Sequence, residues 1–63
     1  MEMEIKKEFK LVDLYDGYDV VGYTNSINEL RKMIKDYVRD TDGECYLSVR
    51  RLNANGKYIR III

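Results

Sequence analysis

One stretch of helical periodicity stands alone between two β-rich halves. Leu30, Ile34, Tyr37, Val38 and Thr41 recur at spacings of three and four, with Met33 beside them. Residues so spaced share one face of a helix. Arg31, Lys32, Lys35, Asp36, Arg39 and Asp40 fill the opposite face. Ser26-Ile27-Asn28-Glu29 opens the stretch as a capping box: the Ser26 hydroxyl accepts from the Glu29 N–H, and the Glu29 carboxylate reaches back. Gly43 suits the C′ position, where positive φ is needed. The helix is expected over about 27–41. A chain of 63 residues with one helix can cover one face of one sheet and no more.

Turn chemistry divides the remainder. Asp16-Gly17 is a short-hairpin signal between Phe9–Tyr15 and Tyr18–Thr24, both rich in aromatic and β-branched residues. Cys45–Leu52 and Lys57–Ile63 flank Asn53-Ala54-Asn55-Gly56 and form a second hairpin. Its register decides which side chains share a face. A two-residue Asn55-Gly56 turn sets Arg51 opposite Arg60 and turns Ile59, Ile61 and Ile63 away from Leu47 and Val49. A three-residue loop, Ala54-Asn55-Gly56 with Gly56 in the left-handed region, sets Val49 opposite Ile61, Leu47 opposite Ile63 and Arg51 opposite Ile59. The second register gathers Cys45, Leu47, Val49, Ile59, Ile61 and Ile63 on the side the helix covers, and is preferred. The expected fold is α+β, ordered ββαββ: a four-stranded antiparallel sheet with one helix on one face, as a single domain over 1–63.

The other face then carries Tyr46, Ser48, Arg50 and Leu52, with Tyr58, Arg60 and Ile62 beside them. Arg50 opposes Arg60, and like charges directly across strands are unfavourable. The first hairpin has apolar residues on both sides: Val12, Leu14, Val21 and Tyr23 on one, Phe9, Leu11, Tyr15, Tyr18 and Val20 on the other. With one helix available, some cover is expected from a second copy, with Tyr15, Tyr18, Leu52 and Ile62 at a homodimer interface. The terminal Ile61-Ile62-Ile63 carries no charged gatekeeper, so it belongs at a subunit interface or in the sheet centre.

Charge is segregated within a neutral total. Residues 1–43 carry seven basic and ten acidic side chains, residues 44–63 four basic and one acidic. A net charge of zero disfavours coating of nucleic acid by bulk charge. With 46% hydrophobic residues the chain is not disordered. Asp13, Asp16 and Asp19 cluster around the first turn as an acidic patch able to engage Lys or Arg on a partner.

Catalytic chemistry finds little to work with. There is no His, so the usual general base and the commonest neutral metal ligand are missing. Cys45 is the single thiol, at an inward position without an activating partner, and reads as a small buried hydrophobe. A lone cysteine also suits a reducing, cytoplasmic setting. Asp40-Thr41-Asp42-Gly43-Glu44 is shaped like a calcium loop, but its glycine comes too early and the closing Glu is absent. Helix termination explains it. No enzyme, cofactor or metal is expected. No apolar run is long enough for a leader or a membrane span.

Tyr46, Arg50, Arg51, Tyr58 and Arg60 form a basic and aromatic group on the second hairpin. Open sheets bind single-stranded RNA through such groups, by stacking and phosphate contact. The same residues, with the acidic hairpin, suit a protein partner. A structural or assembly role is the third reading.

The whole chain resembles small accessory proteins of bacteriophage and mobile-element genomes. The features are the bare ββαββ plan, the start at Met1, and Tyr23-Thr24-Asn25-Ser26-Ile27-Asn28-Glu29-Leu30 leading through Tyr37 to Thr41-Asp42-Gly43-Glu44-Cys45. The resemblance implies a non-enzymatic protein-binding module that blocks a host protein, such as an antiviral defence component. It carries no residue roles.

Overall fold

A computed structural model describes residues 6–62. Its elements are β1 (Phe9–Asp13), β2 (Asp19–Thr24), α1 (Ile27–Asp40), β3 (Leu47–Leu52) and β4 (Tyr58–Ile61). The strands form one antiparallel sheet in the order β2-β1-β3-β4. The chain is therefore an α+β fold of two hairpins joined through their first strands, with one helix between them. No helix among the described residues is long and apolar enough to cross a membrane.

The helix begins where the capping residue sets it. The Ser26 hydroxyl accepts from the Glu29 N–H at 3.2 Å. The second half of the box is not used: the Ser26 N–H donates to the Thr24 hydroxyl at 3.1 Å instead. Thr24, buried at the end of β2, thus ties strand to helix. At the other end, Thr41 is the C-cap. The Gly43 N–H donates to the Val38 carbonyl at 2.9 Å and the Asp42 N–H to the Arg39 carbonyl at 3.2 Å. That is a Schellman motif, with C′ at Asp42 (φ 57) rather than at Gly43 (φ 81). Two successive left-handed residues turn the chain back towards β3.

Core packing follows the buried stripe of α1. Leu30 is fully enclosed against Phe9, Leu11 and Val49, with Ile27, Met33, Ile34, Val21, Leu47 and Ile61 packed around them. The helix lies chiefly over β1 and β2. Two residues expected on the covered side are therefore left open: Val38 on the helix and Ile59 on β4 are both exposed. Cys45 is half-buried.

The second hairpin has the preferred register. Val49 faces Ile61, Arg51 faces Ile59, and Arg50 faces Arg60. The Asn53 N–H donates to the Lys57 carbonyl at 2.8 Å, closing a three-residue loop, with Gly56 at φ 79. Asn53 Oδ1 accepts from the N–H groups of Asn55 and Lys57, both at 2.9 Å. The pairing of Leu47 with Ile63 lies outside the described residues. β4 is an edge strand, so Ile61 and Ile62 end neither in the sheet centre nor under the helix as a continuous run. Ile62 is 92% exposed.

The first hairpin departs from expectation. Leu11 pairs with Gly22 but Val12 pairs with Val20, so a bulge at Val21 interrupts the ladder. An extra residue reverses the facing of everything before it. Val21 turns into the core beside the helix, whereas Tyr18 and Val20 move to the open face, opposite to their expected grouping with Phe9 and Leu11. The loop also widens. β1 ends at Asp13 and β2 starts at Asp19, and no two-residue Asp16-Gly17 turn forms.

Candidate functional site

Asp13 explains the wider loop. Its Oδ1 accepts from the Tyr15 N–H at 2.9 Å and from the Tyr46 N–H at 3.0 Å. Its Oδ2 accepts from the Tyr37 hydroxyl at 2.7 Å. One carboxylate thus joins the first turn, the start of the second hairpin and the helix. These three donors, the Tyr46 N–H foremost, hold the Asp13 carboxyl below its ordinary value. Its hydrogen bond to Asp13 pushes the Tyr37 phenol up to about 12. Asp13 is buried, which corrects its place in an acidic binding patch. It is occupied within the fold, and only Asp16 and Asp19 stay exposed on the hairpin.

The face turned away from α1 is built by register. Tyr23 pairs with Lys10, Lys10 with Arg50, and Arg50 with Arg60. Three cations therefore stand side by side in one row across β1, β3 and β4, with a tyrosine at its β2 end. Among the described residues the ion pairs are Arg39 with Asp36 and Asp40, and Arg51 with Glu8. None involves the row. Arg51 belongs to the helix side, where it meets Glu8 at 2.7 Å and lies over the Phe9 ring. It leaves the basic group in which the sequence placed it.

Tyrosines hold the row in position. The Lys10 ammonium lies 5.1 Å from the Tyr18 ring centroid, 5.5 Å from Tyr58 and 5.8 Å from Tyr23. The Arg50 guanidinium lies 5.6 Å from the Tyr18 centroid. At such distances a ring quadrupole attracts a cation. The Tyr18 side chain favours the charged form of Lys10, and Lys10 lowers the Tyr18 pKa in return. Tyr23 and Tyr58 come from the two edge strands, yet their rings are 5.8 Å apart. Edge strands of a four-stranded sheet are about 14 Å apart, so both side chains lean inward over the middle. The Tyr58 hydroxyl is anchored on the Lys7 carbonyl at 2.7 Å.

This arrangement changes what the open face needs. Val12, on this face between Val20 and Ser48, is fully buried within a single chain. Ser48 is nearly so. Larger neighbours on the chain itself close over these positions, and cover from a second copy is not required there. Tyr46 remains 60% exposed on the same face, beyond the Val12–Ser48 pair, and Tyr18 remains 53% exposed although both cations contact its ring. Tyr15 is also exposed, whereas Leu52 is half-buried.

Of the residues singled out in the sequence, the fold brings Arg50, Arg60, Tyr58 and Tyr46 to one surface. It adds Lys10, Tyr18 and Tyr23, which the sequence reading had not joined to them. The available signal was the alternation of Lys10 with Val12 on β1; joining it to Arg50 needs the β1–β3 pairing, and joining Tyr18 needs the bulge. Comparison with family models, with curated proteins and with solved structures gives no match.

Proposed function

We propose that this chain is a non-enzymatic binding module that takes an anionic partner on its open sheet face. The observation that carries the reading is the row Lys10–Arg50–Arg60. Like charges directly across strands destabilise a sheet by roughly 0.2–1 kcal/mol per pair, and here two such pairs adjoin with no ion pair to a carboxylate among the described residues. A row kept at that cost is poised for an anion. The helix also presents cations, but Arg39 is already shared between Asp36 and Asp40.

Heparin, a generic polyanion, tests the reading. Arg50→Glu with Arg60→Glu should abolish heparin binding while the circular dichroism spectrum is unchanged. Unchanged affinity would remove the face from consideration. Arg60→Glu alone should raise the melting temperature slightly, because it turns a cross-strand repulsion into an attraction, while weakening binding.

A second reading is occupation of an acidic surface on a host protein, which would block that protein. The exposed Tyr15 and Tyr46 favour it, since exposed tyrosine is enriched where proteins meet.

A further inference from the structure

We infer that the anionic partner of the open face is a single-stranded nucleic acid, its phosphates tracking the cation row and its bases stacking on the flanking tyrosines. The inference rests on the anionic-partner reading above and narrows it. Three features of the face select this class of partner.

The first is size. Edge strands about 14 Å apart and strands of about five residues give a footprint on the order of 250 Å². Even doubled for side-chain relief, that falls short of the ~800 Å² per partner of an ordinary protein–protein interface. It matches two or three nucleotides, the number that stack on an open sheet in the common RNA-binding modules.

The second is composition. An extended acidic chain such as polyglutamate needs cations alone. Here rings flank the cations: Tyr23 ends the row, Tyr18 lies against Lys10 and Arg50, and Tyr46 is exposed on the same face further along the chain from Arg50. Aromatic rings accept any base by stacking, and adjacent cations accept the phosphates between bases. The contacts with Lys10 and Arg50 fix Tyr18 in place while leaving half of its surface open, so little ordering is needed on binding.

The third is direction. The row runs across the strands rather than along them. An extended strand laid over it meets Arg60, Arg50 and Lys10 in succession. A duplex presents no unstacked base to the rings, so single strands are preferred.

Fluorescence anisotropy with a labelled oligothymidylate and a labelled oligouridylate tests this, against a duplex of mixed sequence and polyglutamate of similar charge. About three phosphate contacts at a slope of about 0.7 each predict a roughly 20-fold loss of affinity between about 50 and 200 mM salt. Arg60→Gln should lower that slope by about one contact. Tyr18→Leu should weaken oligonucleotide binding about tenfold without altering the slope. Polyglutamate should bind at least tenfold more weakly than the single strands. Polyglutamate or duplex binding as tight as the single strands would overturn the inference and leave the anionic-partner reading standing. No binding of any polyanion at low salt would overturn both. Loss of the fold in Tyr18→Leu, seen by circular dichroism, would shift that arm to Tyr46→Leu, whose exposed ring should give the same tenfold loss. No change in either folded variant would overturn the stacking claim.

Discussion

The Tyr37 hydroxyl donates a 2.7 Å hydrogen bond to Asp13 Oδ2, joining the last turn of α1 to the end of a central strand. Each partner stabilises the other's protonation state, and this gives two pH limits. Asp13 has a lowered folded value. Its contribution is therefore complete above the unfolded carboxylate value of about 3.9, and is lost as pH falls through the folded value below that. Tyr37 has its value raised to about 12. Its contribution is complete below the ordinary phenol value of about 10, and is lost as pH rises towards about 12. Thermal melts across pH should show both limbs. Tyr37→Phe should lower the melting temperature at neutral pH and abolish the alkaline limb. An identical pH profile in the variant would show that the bond carries no stability.

Tyr18 should titrate below the ordinary phenol value. The Lys10 ammonium is the main cause of its lowered value, with Arg50 contributing. Lys10→Gln should return the Tyr18 titration most of the way to about 10, as read from its ring resonances by NMR. A Tyr18 titration unmoved by Lys10→Gln would dissolve the tyrosine–cation cluster as described.

Asp42 holds the C′ position at φ 57. A left-handed residue with a Cβ costs roughly 1–2 kcal/mol, less for Asp, and glycine escapes the cost. Asp42→Gly should stabilise the chain by up to about 1 kcal/mol in urea unfolding. Gly43→Ala, at φ 81, should destabilise by a similar amount. A destabilised Asp42→Gly would mean that the Asp42 side chain contributes more than the strain it carries.

Self-association is proposed for the β4 edge rather than for the open face. Ile59 and Ile62 are both exposed there, and among the described residues no strand pairs with the outer side of β4. Sedimentation at micromolar concentration should show a dimer that Ile59→Lys with Ile62→Lys returns to a monomer. A wild-type monomer at those concentrations would exclude the dimer.

What could be read from the sequence was local. Ser26 set the start of the helix, and Gly56 chose a three-residue loop that fixed the register of β3 with β4. The open-face places of Arg50, Tyr58 and Arg60 followed from that register. What could not be read depended on distant partners. The bulge at Val21 leaves no local mark, because Val20 and Val21 are equally apolar and either could face the core. That single residue decides whether Tyr18 joins Lys10 or packs under the helix. Asp13 read as one more acidic turn residue, since its donors Tyr37 and Tyr46 lie 24 and 33 positions away. The strand order put β3 beside β1, and only that order brings Lys10 level with Arg50.

The central claim is that the open face, and no other surface, receives the anion. Amide chemical-shift mapping by NMR during a heparin titration tests it most directly. Shifts should concentrate at Lys10, Tyr18, Tyr23, Arg50 and Arg60, with α1 unaffected. Shifts centred on Arg31, Lys32 and Lys35 of the helix, with the sheet row silent, would contradict it.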